Sequence, residues 1–200
     1  MPSNYFDKTT SQAALPLQGS ADDPGANVVR WLFPAYIFMI LVGFFCLQAP
    51  VMMPAGNALN PDRAVFTSVN AATLTGFQLN IHPSEFYTPG KIVLLGLTVL
   101  GTLFTLIVGG LAAKRVLRLP WTDRRIYVSA FVAEGIVLAV GAAVPGNNST
   151  FLGSLTETAA AWGNSGLYVE NAPQAGDLYT HVVLLPLAVL GGLGLVVLLQ

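Results

Sequence analysis

Long runs without a charged residue constrain this chain more than any other feature of its sequence. No Asp, Glu, Lys or Arg occurs between Trp31 and Pro61 or between Ile92 and Ala113. A helix of about 20 apolar residues is long enough to cross the roughly 30 Å hydrocarbon core of a bilayer. Only 10% of the residues are charged, whereas an ordinary soluble domain has about 25%. We therefore expect an all-α membrane protein, and the net charge of -1 offers no basic surface for nucleic acid.

Four apolar segments are predicted to span the lipid bilayer. They are Trp31 to Met53, Ile92 to Ala113, Ile126 to Pro145 and Val182 to Leu199. Five of the nine Lys and Arg residues lie between Lys114 and Arg125, after the second span. Because basic loops stay on the cytoplasmic side, we expect a multi-pass protein of the plasma (inner) membrane with a cytoplasmic N-terminus. Residues 1–29 are predicted to be a flexible cytoplasmic tail. An alternative role for the basic loop between Lys114 and Arg125 is the binding of anionic lipid.

Two short helices, each ending in a glycine-containing loop, are predicted between the spans. The first begins at Asn60, Pro61 and Asp62, which favour a helix N-terminus, and runs to about Ala72. The second follows possible capping residues at 147–150 and runs to about Ala161. Each is too short to cross a bilayer. Their C-terminal ends carry the negative half of the helix dipole, which favours a cation beside the loops that follow.

The two halves of the chain are related by an offset of 90 residues. This offset places Gly76 of the first loop on Gly166 of the second. It also aligns Lys91 to Leu103 with His181 to Leu193 without a gap, and eight of thirteen positions are identical. We interpret the chain as a tandem duplication of one unit, which consists of helix, short pore helix, loop and helix. The first repeat would comprise residues 30–118 and the second residues 119–200.

The loop sequences favour binding of a cation by backbone carbonyl groups. They read Thr-Leu-Thr-Gly-Phe and Gly-Asn-Ser-Gly-Leu. In a membrane, bare carbonyls survive where they line a cavity or coordinate an ion, and rings of carbonyls replace the water shell of potassium. Glycine permits the positive φ values that turn successive carbonyls inward. The alternative is that each glycine only caps the end of an ordinary helix.

These paired loops, each behind a short helix, and the segment Leu-Gly-Gly-Leu-Gly-Leu at 190–195 resemble the Trk/Ktr/HKT superfamily of potassium transporters. In that family four membrane-pore-membrane repeats surround one pore. The chain is similar to the first two repeats, which implies half of a pseudo-fourfold, potassium-channel-like pore. The resemblance implies a selectivity filter on the outer side of the membrane. Its positions would be Thr73, Leu74, Thr75, Gly76 and Phe77 in the first repeat and Gly163, Asn164, Ser165, Gly166 and Leu167 in the second.

The resemblance also implies the transported ion and the partners. In the family, serine in place of the first-loop glycine accompanies sodium preference, so Gly76 resembles the potassium-permissive type. Ser165 and Leu167 depart from the family, which has Ala and Phe there. Two repeats cannot surround a pore, so either missing repeats or a second chain must complete it, and the end at Gln200 after an apolar run favours missing repeats. A cytosolic nucleotide-binding regulatory subunit is the other implied partner.

Glu134 is the one charged residue within the third predicted span. An intramembrane carboxylate is a candidate functional site by default, and the alternative is that it anchors free backbone N–H groups. Outer-loop charges are predicted to be mainly acidic and to attract cations. They are Asp62, Glu85, Glu157, Glu170 and Asp177, against Arg63 and Lys91.

The remaining reactive residue types predict neither a cofactor nor an enzyme. Cys46 lies in an apolar run, which favours a packing role, and His82 and His181 occupy unmatched positions. No pair of catalytic acids, Ser/His/Asp set or phosphate-binding loop is recognisable in the sequence. We therefore expect no cofactor, no metal beyond the transported potassium ion and no enzymatic activity. The second functional hypothesis is a non-conducting membrane scaffold subunit that keeps the duplicated fold.

Overall fold

The computed structural model describes most of the chain. It covers residues 24–54, 59–77, 83–144, 146, 150–169, 174 and 176–198, with the backbone alone at 24–29, 83 and 196. These residues are mostly helical, and no β-strand occurs among them. Several predicted features lie outside the described residues: tail residues 1–23, the capping residues 147–149, His82 and Glu170.

Six α-helices, α1 to α6, make up the described fold. They are α1 (Pro24–Leu47), α2 (Pro61–Thr73), α3 (Thr88–Val116), α4 (Asp123–Ala143), α5 (Phe151–Trp162) and α6 (Leu185–Leu198). Helix α6 continues directly from a π-helical segment, Thr180–Leu184. Three helices are long and apolar enough to cross a membrane, namely Arg30–Leu47 within α1, α3 and α4, and the apolar helix Thr180–Leu195 is shorter. Within its described residues the chain is thus all-α, with three candidate membrane spans.

The first and the last predicted spans differ from the observed helices. Helix α1 ends at Leu47 rather than Met53, because Pro50 has no backbone N–H and forces the preceding residue into an extended conformation. Ala49 accordingly has φ -64° and ψ 137°, and a short 3₁₀ turn, Pro50–Met52, follows. Helix α6 is interrupted at Gly194, where φ is 72° and ψ is 167°. No described atom lies within 4 Å of a Cβ at Gly194, so this glycine bends the helix and does not mark a close packing contact.

The two predicted short helices are present as α2 and α5. Pro61 occupies the first turn of α2, but the side chain of Asn60 makes no capping hydrogen bond, contrary to its expected role. In α5 the cap is formed, since the Thr150 hydroxyl accepts the backbone N–H of Gly153 at 3.1 Å. Every residue from Thr156 to Trp162 is buried. A short helix buried in this way is held by its neighbours and not by the bilayer.

Helix α3 lies at the centre and contributes to two apolar clusters. The first cluster joins α3 to α1 and α2, through residues such as Leu94, Leu47 and Ala71. The second joins α3 to α4, α5 and α6, and includes Ile126 and Trp162. Among the three candidate spans, α1 is the most peripheral, since only 11% of its membrane-span window is buried within the protein. The large apolar side chains on its outer face are therefore available to lipid.

Two glycines allow α3 and α6 to approach the ends of the short helices. A Cβ on Gly101 of α3 would overlap the carbonyl oxygen of Ala72, in the last turn of α2. A Cβ on Gly191 of α6 would overlap the carbonyl oxygen of Trp162, the last residue of α5. Both members of the second pair are 90 residues beyond those of the first. Small residues permit such close packing between apolar helices.

The turn between α3 and α4 carries the basic residues. Lys114 forms an ion pair with Asp123 across it. The Thr122 hydroxyl caps α4 by accepting the N–H of Arg125 at 3.3 Å. The guanidinium of Arg125 in turn lies 5.5 Å from the ring centre of Trp121. This turn is thus an ordered connection, in which at least one of the basic side chains is neutralised by a partner.

Candidate functional site

The first loop, Thr73–Phe77, leaves the C-terminus of α2 through two residues with positive φ. Leu74 has φ 59° and its N–H donates to the carbonyl of Asn70. Gly76 follows with φ 72°. The left-handed conformation costs a residue with a Cβ about 1–2 kcal/mol, and such strain concentrates at functional sites. Leu74 is therefore the left-handed cap of α2, and Gly76 makes a second bend beyond it.

The second loop, Gly163–Leu167, repeats this backbone pattern 90 residues later. Asn164 has φ 52° and Gly166 has φ 62°. The N–H of Ser165 donates to the carbonyl of Ala160 at 2.9 Å, in the same register as the bond from Thr75 to Asn70 at 3.3 Å. Leu74 is thus the left-handed residue after α2, and Asn164 is the left-handed residue after α5. In neither loop does Gly76 or Gly166 act as the helix cap, which argues against the reading of these glycines as ordinary caps.

The two glycine bends lie in direct contact with each other. A Cβ built on Gly76 would be 2.5 Å from the carbonyl oxygen of Ser165 and 3.8 Å from the Cα of Gly166. Ser165 is completely buried, whereas both glycines are only half-buried and Thr75 is exposed. No ion fits between Gly76 and Ser165 themselves. The accessible side of the contact is the one that carries Thr75, Gly76 and Gly166.

The last residues of the two loops have different surroundings. Phe77 ends the first loop with 69% of its surface exposed. Leu167 ends the second loop with only 4% exposed, and it packs into the apolar cluster formed by α1, α2 and α3. The second loop therefore inserts its last residue into the first half of the chain. The structure brings Gly76, Ser165 and Gly166 together but leaves Phe77 without an equivalent cover among the described residues.

Two threonine hydroxyl groups lie side by side on the first loop. The Oγ1 atoms of Thr73 and Thr75 are 3.4 Å apart. The Thr73 hydroxyl donates to the carbonyl of Val69 at 2.7 Å, and the Thr75 hydroxyl donates to Oδ1 of Asn70 at 2.6 Å. Because each proton is used inside the protein, the lone pairs of both oxygens are left to accept from another donor or a cation.

Asn70 was not singled out from the sequence, although it holds the first loop more than any other side chain. Its Oδ1 accepts the Phe77 N–H at 3.0 Å as well as the Thr75 hydroxyl, and its Nδ2 donates to the Phe77 carbonyl. The side chain is almost fully buried. The available signal was an amide side chain six residues before the loop glycine, in a helix otherwise rich in small residues.

The second loop is held from a different direction. Nδ2 of Asn164 donates to the carbonyl of Ala188 in α6 at 3.0 Å. Ala160 occupies the position that matches Asn70, so the second loop has no equivalent amide beneath it. The first loop is thus tied to the helix that precedes it, and the second to the helix that follows.

Glu134 is buried in α4, with 3% of its surface exposed. It interacts with Trp162 at the end of α5, but the indole N–H is not in hydrogen-bonding geometry with either carboxyl oxygen. Neither oxygen has a hydrogen-bond partner among the residues that the structure describes. The expected anchoring of backbone N–H groups by Glu134 is not observed in this part of the chain. Its place beside the second short helix keeps it a candidate for a role in ion passage.

The acidic residues around the site are arranged differently from the predicted mouth. Asp62 and Glu85 are exposed, as expected, but Glu157 is buried in α5. Burial, followed by the charge of Glu157, raises the pKa of the Tyr168 hydroxyl. No group of three or more His, Cys, Asp or Glu residues suited to a metal ion occurs among the described residues. The two loops themselves carry no charged side chain, so the ligands that they can offer are backbone carbonyl, hydroxyl and amide oxygens.

Comparison with models of protein families and with curated proteins finds no match to this chain.

Proposed function

We propose that the chain forms part of a potassium-conducting membrane protein, in which the first and second loops contribute to the selectivity filter. One observation carries the proposal: two glycine bends 90 residues apart meet at Gly76 and Gly166, with a left-handed residue two positions before each. Such bends expose peptide groups that regular helices would satisfy internally. In a membrane, exposed carbonyls of this kind are suited to replacing the hydration shell of a monovalent cation.

The electrostatics of the loops also support a cation as the ligand. Both loops lie at helix C-termini, where the dipole has its negative end. The hydroxyl oxygens of Thr73 and Thr75 have their protons directed to acceptors within the protein. Neither loop carries a charged side chain. A site of neutral oxygens is suited to a weakly hydrated monovalent ion that must bind and leave quickly.

Matched contacts in the two halves support two tandem membrane-pore-membrane repeats. The close approach of Gly101 to Ala72 recurs 90 residues later between Gly191 and Trp162. In each case a glycine of the following helix packs on the end of the short helix. We propose that α2 and α5 are pore helices, that the loops face the outside, and that the N-terminus and the Lys114–Arg125 turn face the cytoplasm of the cell.

The exposed face of the first loop supports a larger assembly. Leu167 is covered by the first half of the chain, whereas Phe77 at the matching position is 69% exposed. We propose that Phe77 packs against a further repeat or a second copy of this chain, and that this addition closes the pathway beside Gly76 and Gly166. A cytosolic regulatory subunit would then contact the Lys114–Arg125 turn.

The second candidate is a non-conducting scaffold with the same duplicated fold. The observation in its favour is the contact of Gly76 with the Ser165 carbonyl, which leaves no passage between the two loops themselves. In a scaffold the bends would serve only to pack the two loops against each other. In a conductor it would be one side wall of a pathway.

The substitution Gly76→Ser separates the two candidates. Uptake of potassium and of sodium is measured in proteoliposomes that contain the complete assembly, at equal amounts of inserted protein. Serine adds a Cβ against the Ser165 carbonyl at a position with φ 72°, so a filter should lose part of its preference for potassium over sodium. Gly96→Ser is the matched control, because none of the described residues has an atom within 4 Å of a Cβ there. Unchanged selectivity and rate in Gly76→Ser would favour the scaffold.

A further inference from the structure

The side chain of Asn70 contacts the first loop on both sides of Gly76. Before the glycine, its Oδ1 accepts the Thr75 hydroxyl at 2.6 Å. After the glycine, it accepts the N–H of Phe77 at 3.0 Å, and its Nδ2 donates to the carbonyl of the same residue. Its own carbonyl also accepts from the N–H groups of Leu74 and Thr75. One buried residue therefore holds the whole turn.

An amide is the side-chain group that can make this set of contacts. It presents a donor and an acceptor side by side, which match the N–H and C=O of one residue. A carboxylate of the same shape has acceptors only and would face the Phe77 carbonyl without a proton to donate. An apolar side chain of the same size would leave the Thr75 hydroxyl and the Phe77 N–H unpaired. The orientation of the peptide groups around Gly76 thus depends on both ends of the amide.

Asn70 also determines where the Thr75 hydroxyl proton lies. Because this proton is donated inward to Oδ1, the oxygen keeps its lone pairs for the exposed side of the loop. Without Asn70 the hydroxyl is free to rotate and can turn its proton toward that side. A proton directed at a cation site lowers the affinity of that site for the cation.

The second loop has no such support. Ala160 takes the place of Asn70, and the Asn164 side chain ties the loop to α6 instead. The two loops are therefore chemically unequal, although their backbones follow the same pattern. The contacts of Asn70 can therefore influence ion preference only through the first loop, because the Leu167 N–H of the second loop is bound instead by the Ser165 hydroxyl at 3.4 Å.

From these contacts we propose that Asn70 is a positioning residue that sets the ion preference of the first loop, by orienting the Thr75 hydroxyl and the Phe77 peptide around Gly76. This inference rests on the proposed conducting function. It assigns a specificity-determining role to a side chain that does not itself reach the ion.

The experiment compares Asn70→Leu and Asn70→Asp with the unchanged protein. Potassium and sodium uptake are measured in proteoliposomes of the complete assembly, normalised to inserted protein. Asn70→Leu removes all three side-chain bonds and is expected to lower the ratio of potassium to sodium uptake about two- to tenfold. Asn70→Asp can keep both acceptor bonds and is expected to lower it less. A purely structural role would reduce the amount of inserted protein but leave the ratio unchanged.

Ser68→Ala is the matched control within α2. Ser68 is fully buried, and its hydroxyl has no partner among the described residues, so its removal breaks no bond to the loop. If Asn70→Leu fails to insert into the membrane, the ratio of potassium to sodium uptake of Asn70→Asp tests the proposal. A normal ratio in the inserted Asn70 variants, together with an altered ratio in Gly76→Ser, overturns the role of Asn70 and leaves the proposed function standing. A normal ratio in all of them, Gly76→Ser included, overturns the proposed function itself.

Discussion

Replacing each loop glycine with alanine tests the contact between the two loops. Gly76 and Gly166 have similar positive φ values, 72° and 62°, so an added Cβ strains both backbones alike. The spatial surroundings differ. A Cβ on Gly76 would lie 2.5 Å from the Ser165 carbonyl oxygen, whereas one on Gly166 would meet only the Cα of Gly76 at 3.7 Å, an ordinary contact. Alanine at 76 must therefore push the loops apart, and alanine at 166 need not.

The expected loss of folding free energy has two contributions, which are the strain of the left-handed backbone and the steric overlap of the added Cβ. Left-handed strain costs about 1–2 kcal/mol for a residue with a Cβ, and this term applies to both variants. Cβ atoms do not approach other heavy atoms within 3.0 Å, so Gly76→Ala requires a displacement of about 0.5 Å, the difference between 3.0 and 2.5 Å. Overpacking of this kind typically costs about 1–3 kcal/mol more. We expect Gly76→Ala to lose about 2–5 kcal/mol of folding free energy and Gly166→Ala about 1–2 kcal/mol.

The assay is thermal unfolding of the purified protein in detergent. For a chain of this size, 1 kcal/mol corresponds to about 2–4 °C in the unfolding midpoint. Gly76→Ala should therefore unfold several degrees below Gly166→Ala. Gly109→Ala serves as a control for the loss of a glycine, because no atom in the described part of the chain lies within 4 Å of its Cβ position. Equal midpoints for the two loop variants would show that the loops do not touch at Gly76, and would refute the reasoning.

Two further predictions concern the helices around the loops. Gly101→Ala and Gly191→Ala each place a Cβ on a backbone carbonyl oxygen, so each should lower the unfolding midpoint by an amount typical of overpacking, about 1–3 kcal/mol; a midpoint like that of Gly109→Ala would contradict the packing described above. Glu134→Gln keeps the shape of a buried side chain whose oxygens have no partner among the described residues. It should leave stability equal or higher, because an unpaired buried carboxylate is costly, and a loss of potassium uptake at unchanged stability would assign Glu134 to the ion pathway.

The positions of the helices were largely predictable from local patterns. Apolar runs located α3 and α4 to within a few residues, and Pro61 marked the start of α2. The end of α1 was placed too late because the prediction extended the apolar run through Pro50. Hydropathy does not distinguish a helix from an extended apolar segment, whereas the missing N–H of proline does.

The candidate site was predictable in its backbone but not in its side-chain supports. Glycine at 76 and 166 implied positive φ, and both residues adopt it. The hydrogen bonds from the Asn70 side chain to the first loop could not be predicted, since the sequence does not show which backbone groups an amide in a helix will reach. Glu157 was expected among the solvated outer charges, but it is buried because α5 is covered on most sides by its neighbours.

The apolar helices, the two short helices and the matched glycine bends follow from local sequence patterns, because each depends on residues within a few positions of one another. Long-range packing sets the contact of Gly76 with Ser165 and the cover over Leu167 beside an exposed Phe77. It also places Glu134 beside Trp162 without a hydrogen-bond partner among the described residues. Those outcomes depend on how α3 packs between the two halves. Residues distant in sequence become neighbours through that packing, and the register of the contact is set by all the helices together.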